Sequence, residues 1–190
     1  MICSRLRLFL ILSLGICFFI SGLELLFLFW GIFDYCRQKN KRIISSVYSN
    51  NFAGIYVFLF FLPITIIVGM IGEHFLIDFE KQDSVKQLKN RVTELGFGFF
   101  LSVLILSPVF EEFYFRKILF NEICLHYGPF LAVLLTALLF SAVHFNIYAF
   151  PILFVLGLSL GVVKIFSANL LNSVLCHSFF NLFMLSQIIN

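Results

Sequence analysis

The chain has 190 residues, of which 61% are hydrophobic and only 12% charged, with a formal net charge of +3. A soluble domain carries about 25% charged residues, so these values exclude a soluble globular protein and point to an all-α, polytopic transmembrane helix bundle. The small positive charge does not suggest nucleic acid as a partner, because the basic residues lie in short loops beside apolar runs.

Apolar runs of about 18 residues or more read as membrane helices. The first is expected over roughly Leu8 to Phe33. Arg5 and Arg7 precede it as in a signal peptide, but the run outlasts the usual h-region of about 7–15 residues, so it reads as a retained signal anchor. The loop Asp34 to Asn51 follows, and its Arg37, Lys39, Lys41 and Arg42 read as a cytoplasmic signal. A second span is expected from about Phe52 to Ile77, kinked at Pro63. Asp78 to Glu94 mixes both charge signs and reads as an interfacial connector; its own four basic residues leave the orientation of the chain open.

The apolar pattern resumes at Leu95 and reaches Phe110, with Ser107-Pro108 as punctuation. Proline suits the first turn of a helix, so a new helix is expected near Pro108. Further spans are expected at Pro129 to Phe145, Ile147 to Phe166 and Ala168 to Ile189, making about six membrane helices. Residues 1–94 would supply N-terminal helices and a polar connector without a motif, and residues 95–190 a core that carries the polar motifs. The five cysteines (Cys3, Cys17, Cys36, Cys124, Cys176) contain no CxxC pair and suggest neither a zinc ribbon nor a disulfide framework.

Ionisable residues inside a membrane span cost about 2.5–3.5 kcal/mol each and are functional candidates by default. They form three clusters here: Glu111, Glu112 and Arg116; His144, four residues after Phe140; and His177 with Asn181. Side chains four apart share a helix face, so Glu112 and Arg116 can pair, and His177 and Asn181 can aim at one point. Glu111 lies about 100° round the helix from Glu112 and is expected to be without an obvious local partner. A desolvated, unpaired carboxylate is suited to general-base work. A network that merely glued helices together would be a weak reason to bury two carboxylates, since interhelical polar contacts average about 0.6 kcal/mol. Lys164, near a span end, is expected to snorkel. Asn169, Asn172 and Ser173 are expected to cap a helix or touch its neighbours. His74 and His126, read as lacking a polar partner at helical spacing, are set aside.

The motifs Glu111-Glu112-Phe-Tyr-Phe-Arg116, Phe140-Ser-Ala-Val-His144 and His177-Ser-Phe-Phe-Asn181, in that order and one per helix, resemble the CAAX-protease and bacteriocin-processing (Abi) family of intramembrane endopeptidases. Pro108 and the Gly157-to-Gly161 stretch, GLSLG, are similar to the family too. Lys117 after the arginine and Val162-Val163-Lys164 after the glycines depart from it without touching the expected chemistry. The resemblance covers Leu95 to about Leu185 and implies hydrolysis of a peptide bond by glutamate-activated water. It implies Glu111 as general base, His144 holding the water, His177 and Asn181 donating to the oxyanion, and Glu112 with Arg116 fixing the motif helix.

Glu111, His144 and His177 would also serve as a zinc set with an open position. HExxH is absent and an arginine stands beside the site, so no cofactor is favoured and zinc is the alternative. Expected partners are the lipid bilayer and a peptide or membrane-protein substrate, either a peptide leader (a bacteriocin) or a prenylated C-terminal tail. Heavy use of Phe, Ile, Asn and Lys suits a bacterium with an AT-rich genome, and so a bacterial cell membrane, and leans away from prenylated substrates. The competing readings are a non-catalytic immunity or scaffold protein that keeps the fold, and a proton-linked carrier, which would predict the inverted repeats this sequence lacks.

Overall fold

The computed structural model describes Ile11, Ser13 and residues 52–75, 96–167 and 169–189. The expectations for the remainder of the first span, for the Asp34–Asn51 loop, for the Asp78–Glu94 connector and for the side chain of His74 lie outside what is described. Among the described residues every regular element is helical. Helix α1 is Ala53–Phe75. A helical run then extends from Gly96 to Ala142, and within it lie α2, Ser107–Glu112, and α3, Phe120–Ala142. Helices α4, Phe150–Phe166, and α5, Leu170–Ile189, follow. Two stretches among the described residues are long and apolar enough to cross a bilayer, Gly54–Ile71 and Gly96–Ala142, while α4 is apolar but shorter.

The long run corrects one expectation. An α-helical segment does start near Pro108, at Ser107, but it is not a separate helix: the chain is already helical before it, and α2 is flanked by π-helical stretches at Ser102–Leu106 and Phe113–Leu119. A π turn moves each hydrogen bond to the residue five back, which lets the proline's missing N–H be absorbed without ending the helix. The true interruption is Gly128, at φ 83° and ψ 169°, immediately before Pro129. A residue preceding proline is kept out of the α region, and glycine takes positive φ without a Cβ penalty. The expected start at Pro129 is therefore met, by a break inside α3.

The other end of α3 comes earlier than expected, at Ala142 instead of Phe145. Phe145 adopts φ 50°. Asn146 Oδ1 accepts from the backbone N–H of Tyr148 at 3.0 Å and of Ala149 at 3.1 Å, and so organises the entry to α4, which begins at Phe150 instead of Ile147. The change matters because it puts His144 in the turn beyond α3. At the start of α5, Asn169 Oδ1 accepts from Leu171 N–H at 3.0 Å and Asn172 Nδ2 donates to Ser167 Oγ at 2.7 Å, as expected of these two, whereas Ser173 Oγ is buried without a hydrogen-bond partner among the described residues.

Helix α4 packs against both α1 and α3. In lipid no hydrophobic force draws helices together, so close backbone approach by small residues has to do it. Cβ atoms added to Gly157 and Gly161 would come within 2.9 Å of Ala137 Cα and 3.1 Å of Val133 Cγ1 on α3. On the α1 side, Gly54 and Gly69 meet Ser167 Cβ and Ile152 Cδ1 at 3.0 and 2.8 Å by the same measure. Embedded on these two sides, α4 buries Lys164 to 8% exposure, and the expected snorkelling is not seen. Gly157→Ala should therefore lower stability by about 1–3 kcal/mol, because the new methyl meets backbone that cannot yield. Gly98→Ala, where nothing lies within 4 Å, should leave the midpoint unchanged or slightly raised. Thermal unfolding of the two detergent-solubilised variants checks the pair, and equal behaviour would contradict the close-packing account.

Candidate active site

Helix α2 contributes Glu111 and Glu112, the π turn after it Arg116, the turn after α3 His144, and α5 His177 and Asn181. The spacing of four does pair Glu112 with Arg116: Nε lies 3.3 Å from Oε2, and both side chains are 0% exposed. A buried ion pair costs less when its remaining polar atoms are served, and here they are served in part, Arg116 Nη1 having no hydrogen-bond partner among the described residues. Arg116 Nη2 donates to Gly157 O at 3.2 Å, and its guanidinium lies over the Phe140 ring at 4.8 Å, a contact worth about 2 kcal/mol when desolvated.

Glu112 also reaches a second helix. Its Oε1 is 3.1 Å from His177 Nδ1, while Phe140 O is 2.7 Å from His144 Nδ1. Carboxylates and carbonyls accept, so both imidazoles carry a proton on Nδ1 and turn Nε2 to the site. Both Nε2 atoms face Glu111 Oε2, at 3.8 Å from His177 and 3.9 Å from His144. The other oxygen, Oε1, accepts from Ser107 Oγ. Oε2 is thus buried, free of any hydrogen-bond partner, and aimed at two imidazole nitrogens too distant for direct bonds. His144 keeps 31% of its side-chain surface exposed, against 3% for His177, and so marks the open side.

Glu111, Glu112, Arg116, His144 and His177 therefore form one connected cluster, as their sequence motifs suggested. Asn181 is joined to it differently. Its Nδ2 donates to Val103 O at 2.9 Å, in the π-helical stretch that precedes α2.

Among the described residues no group of three or more His, Cys, Asp or Glu side chains is arranged to hold a metal ion. Zinc–ligand bonds of about 2.0–2.1 Å bring tetrahedral ligand atoms to about 3.4 Å from one another. The 3.8 and 3.9 Å separations at Glu111 are wider, so these residues as they stand do not fit zinc.

Three contributors were given no role at the site by the sequence, although Phe140 and Gly157 belong to the quoted motifs. Ser107 stands four residues before Glu111, a helical spacing that could have flagged it. Phe140 underlies Arg116 and makes edge contacts with both site histidines, at 5.0 Å to His144 and 5.6 Å to His177. The carbonyl of Gly157 leaves no trace in side-chain chemistry. His126, set aside as lacking a partner, does have one: its Nε2 is 3.7 Å from Glu122 Oε1 at helical spacing. Cys124 and Cys176 are free, buried thiols, in keeping with their reading as small apolar residues.

Residues 93–183 match the family model described as type II CAAX prenyl endopeptidase Rce1-like. No curated protein and no solved structure matches the chain. Every site residue named above falls within the matched segment, in agreement with the family suggested by the motifs. With two stretches long and apolar enough to span a bilayer, the match makes the chain an integral membrane protein. The segment that carries the cluster belongs to the Rce1-like family of CAAX endopeptidases.

Proposed function

We propose that the chain is an intramembrane endopeptidase that cleaves a peptide bond with a water activated by Glu111. The carrying observation is the convergence of Glu111 Oε2, His144 Nε2 and His177 Nε2 at 3.8 to 3.9 Å, with Oε2 buried and without a hydrogen-bond partner. Atoms at that separation can share one water through hydrogen bonds of about 2.8 Å. Glu111 takes a proton from the water, and the hydroxide adds to the carbonyl carbon. The tetrahedral intermediate then expels the amine as the C–N bond breaks, with the proton returned from Glu111 to the leaving nitrogen. His144 holds the water. His177, whose Nδ1 is committed to Glu112, can donate from Nε2 to the oxyanion only while it carries both protons.

Arg116 puts a fixed positive charge beside Glu112, and this favours a metal-free site over one with a dication. The proposed location is a bacterial cell membrane. The proposed substrate is a peptide leader, such as that of a bacteriocin, or a prenylated C-terminal tail.

Wild type and Glu111→Gln, purified in detergent and offered both kinds of peptide, test the reading. Loss of a general base costs about 10²–10⁴-fold in rate, so the variant should fold normally and cleave at least about a hundredfold more slowly. Cleavage at the wild-type rate would sink the mechanism, and a variant that still protects cells or scaffolds a partner like wild type would favour the non-catalytic role. Activity should also survive prolonged treatment with 1,10-phenanthroline. A loss that added zinc restores would transfer Glu111, His144 and His177 to the metal reading.

A further inference from the structure

The contact made by Asn181 is explained by backbone hydrogen bonding in the turn before Glu111. The backbone N–H of Ser107 donates to Ser102 O, five residues back. In an α-helix that N–H would have served Val103 O. In the π register the donor for Val103 O would be residue 108, which is proline and has no N–H. Val103 O is therefore the carbonyl that the local chain cannot satisfy, a costly condition at membrane depth. Asn181 Nδ2, 78 residues away in sequence, donates to that oxygen. Ser107, whose N–H has been drawn to Ser102, is also the residue whose hydroxyl donates to Glu111 Oε1.

We infer that Asn181 is a positioning residue: its amide takes up the carbonyl orphaned by Pro108, holds the π turn, and through Ser107 fixes which oxygen of Glu111 faces the histidines. This goes beyond a role at the oxyanion, and it rests on the endopeptidase reading only in treating Glu111 as the reacting group. An amide nitrogen carries two hydrogens, so the clamp leaves one N–H of Asn181 over.

The test is a double-mutant cycle on the full chain in lipid nanodiscs, read by hydrogen exchange over residues 102–112. Asn181→Leu keeps the branched outline of the side chain and removes the donor. It should speed exchange of that segment about tenfold, the equivalent of one lost hydrogen bond. Pro108→Ala returns an N–H to the helix, so that Val103 O regains a main-chain donor in either register. In the double variant, exchange should therefore stay within about twofold of Pro108→Ala alone. If Asn181→Leu speeds exchange equally with and without the proline, or leaves exchange unchanged while cleavage falls, the clamp is wrong. Asn181→Ala repeats the cycle if leucine overpacks the site. On any peptide the wild type cleaves, Asn181→Leu should lower kcat with KM unchanged, and a rise in KM at constant kcat would overturn the effect on Glu111. The exchange measurements need no substrate, so they stand or fall independently of the protease reading.

Discussion

The ion pair of Glu112 and Arg116 is the constraint from which the site is built. Two charges withdrawn completely from water are tolerated only in a tight set of partners, and those partners come from different helices. Arg116 takes the Glu112 carboxylate from its own helical run, the Gly157 carbonyl from α4 and the Phe140 ring from α3. Glu112 passes the order on to α5 through His177. A pair that looks at first like local helix chemistry thus ties four elements together. Removing either charge alone would leave the other buried and uncompensated, at about 3–5 kcal/mol.

That arrangement depends on backbone proximity. Arg116 can reach Gly157 O only while α4 lies close against α3, and the missing Cβ of Gly157 permits that approach, since Ala137 stands 2.9 Å from where it would be. The glycines of the GLSLG stretch therefore have two effects at once. They replace the hydrophobic drive that lipid does not provide, and they present an unobstructed carbonyl to the guanidinium. Packing and electrostatics are not separable at this position.

Much of the cluster was legible because helical spacing is a local rule. The pairing of Glu112 with Arg116 follows from residue type and an interval of four, whereas Glu111, read as lacking a local partner, has one in Ser107, four residues before it. The start at Pro129 was read correctly, while the part played by Gly128 before it appears only in the backbone, at φ 83°. What else escaped was non-local. Pro108 looked like the start of a separate helix because a proline normally costs a hydrogen bond, and only a partner 78 residues away allows the π turn that absorbs it. The end of α3 was set by a left-handed Phe145 and by the cap at Asn146, which apolar periodicity does not reveal. Lys164 followed its neighbours into the packed interior, where position along the helix counted for less than the helices on either side.

The two carboxylates end in opposite states although they are adjacent in sequence. Each oxygen of Glu112 has a counterpart, Oε2 the Arg116 guanidinium in an ion pair without a hydrogen bond and Oε1 the His177 ring, whereas Glu111 has one oxygen on Ser107 and one facing imidazole nitrogens beyond bonding distance. The tautomers sharpen the difference. With Nδ1–H spent on Glu112 and on the Phe140 carbonyl, the neutral forms of His177 and His144 both offer lone pairs to the region already faced by Glu111 Oε2. Three acceptor atoms that converge in a dry setting repel a bare carbonyl oxygen and welcome a species with hydrogens to give. Water has two. A peptide carbonyl has none, so under the proposed mechanism its oxygen is received only at His177 Nε2, and only while that ring carries both protons and turns its corner of the triangle into a donor. The acceptor triangle that suits the nucleophile thereby limits where the substrate carbonyl can be received.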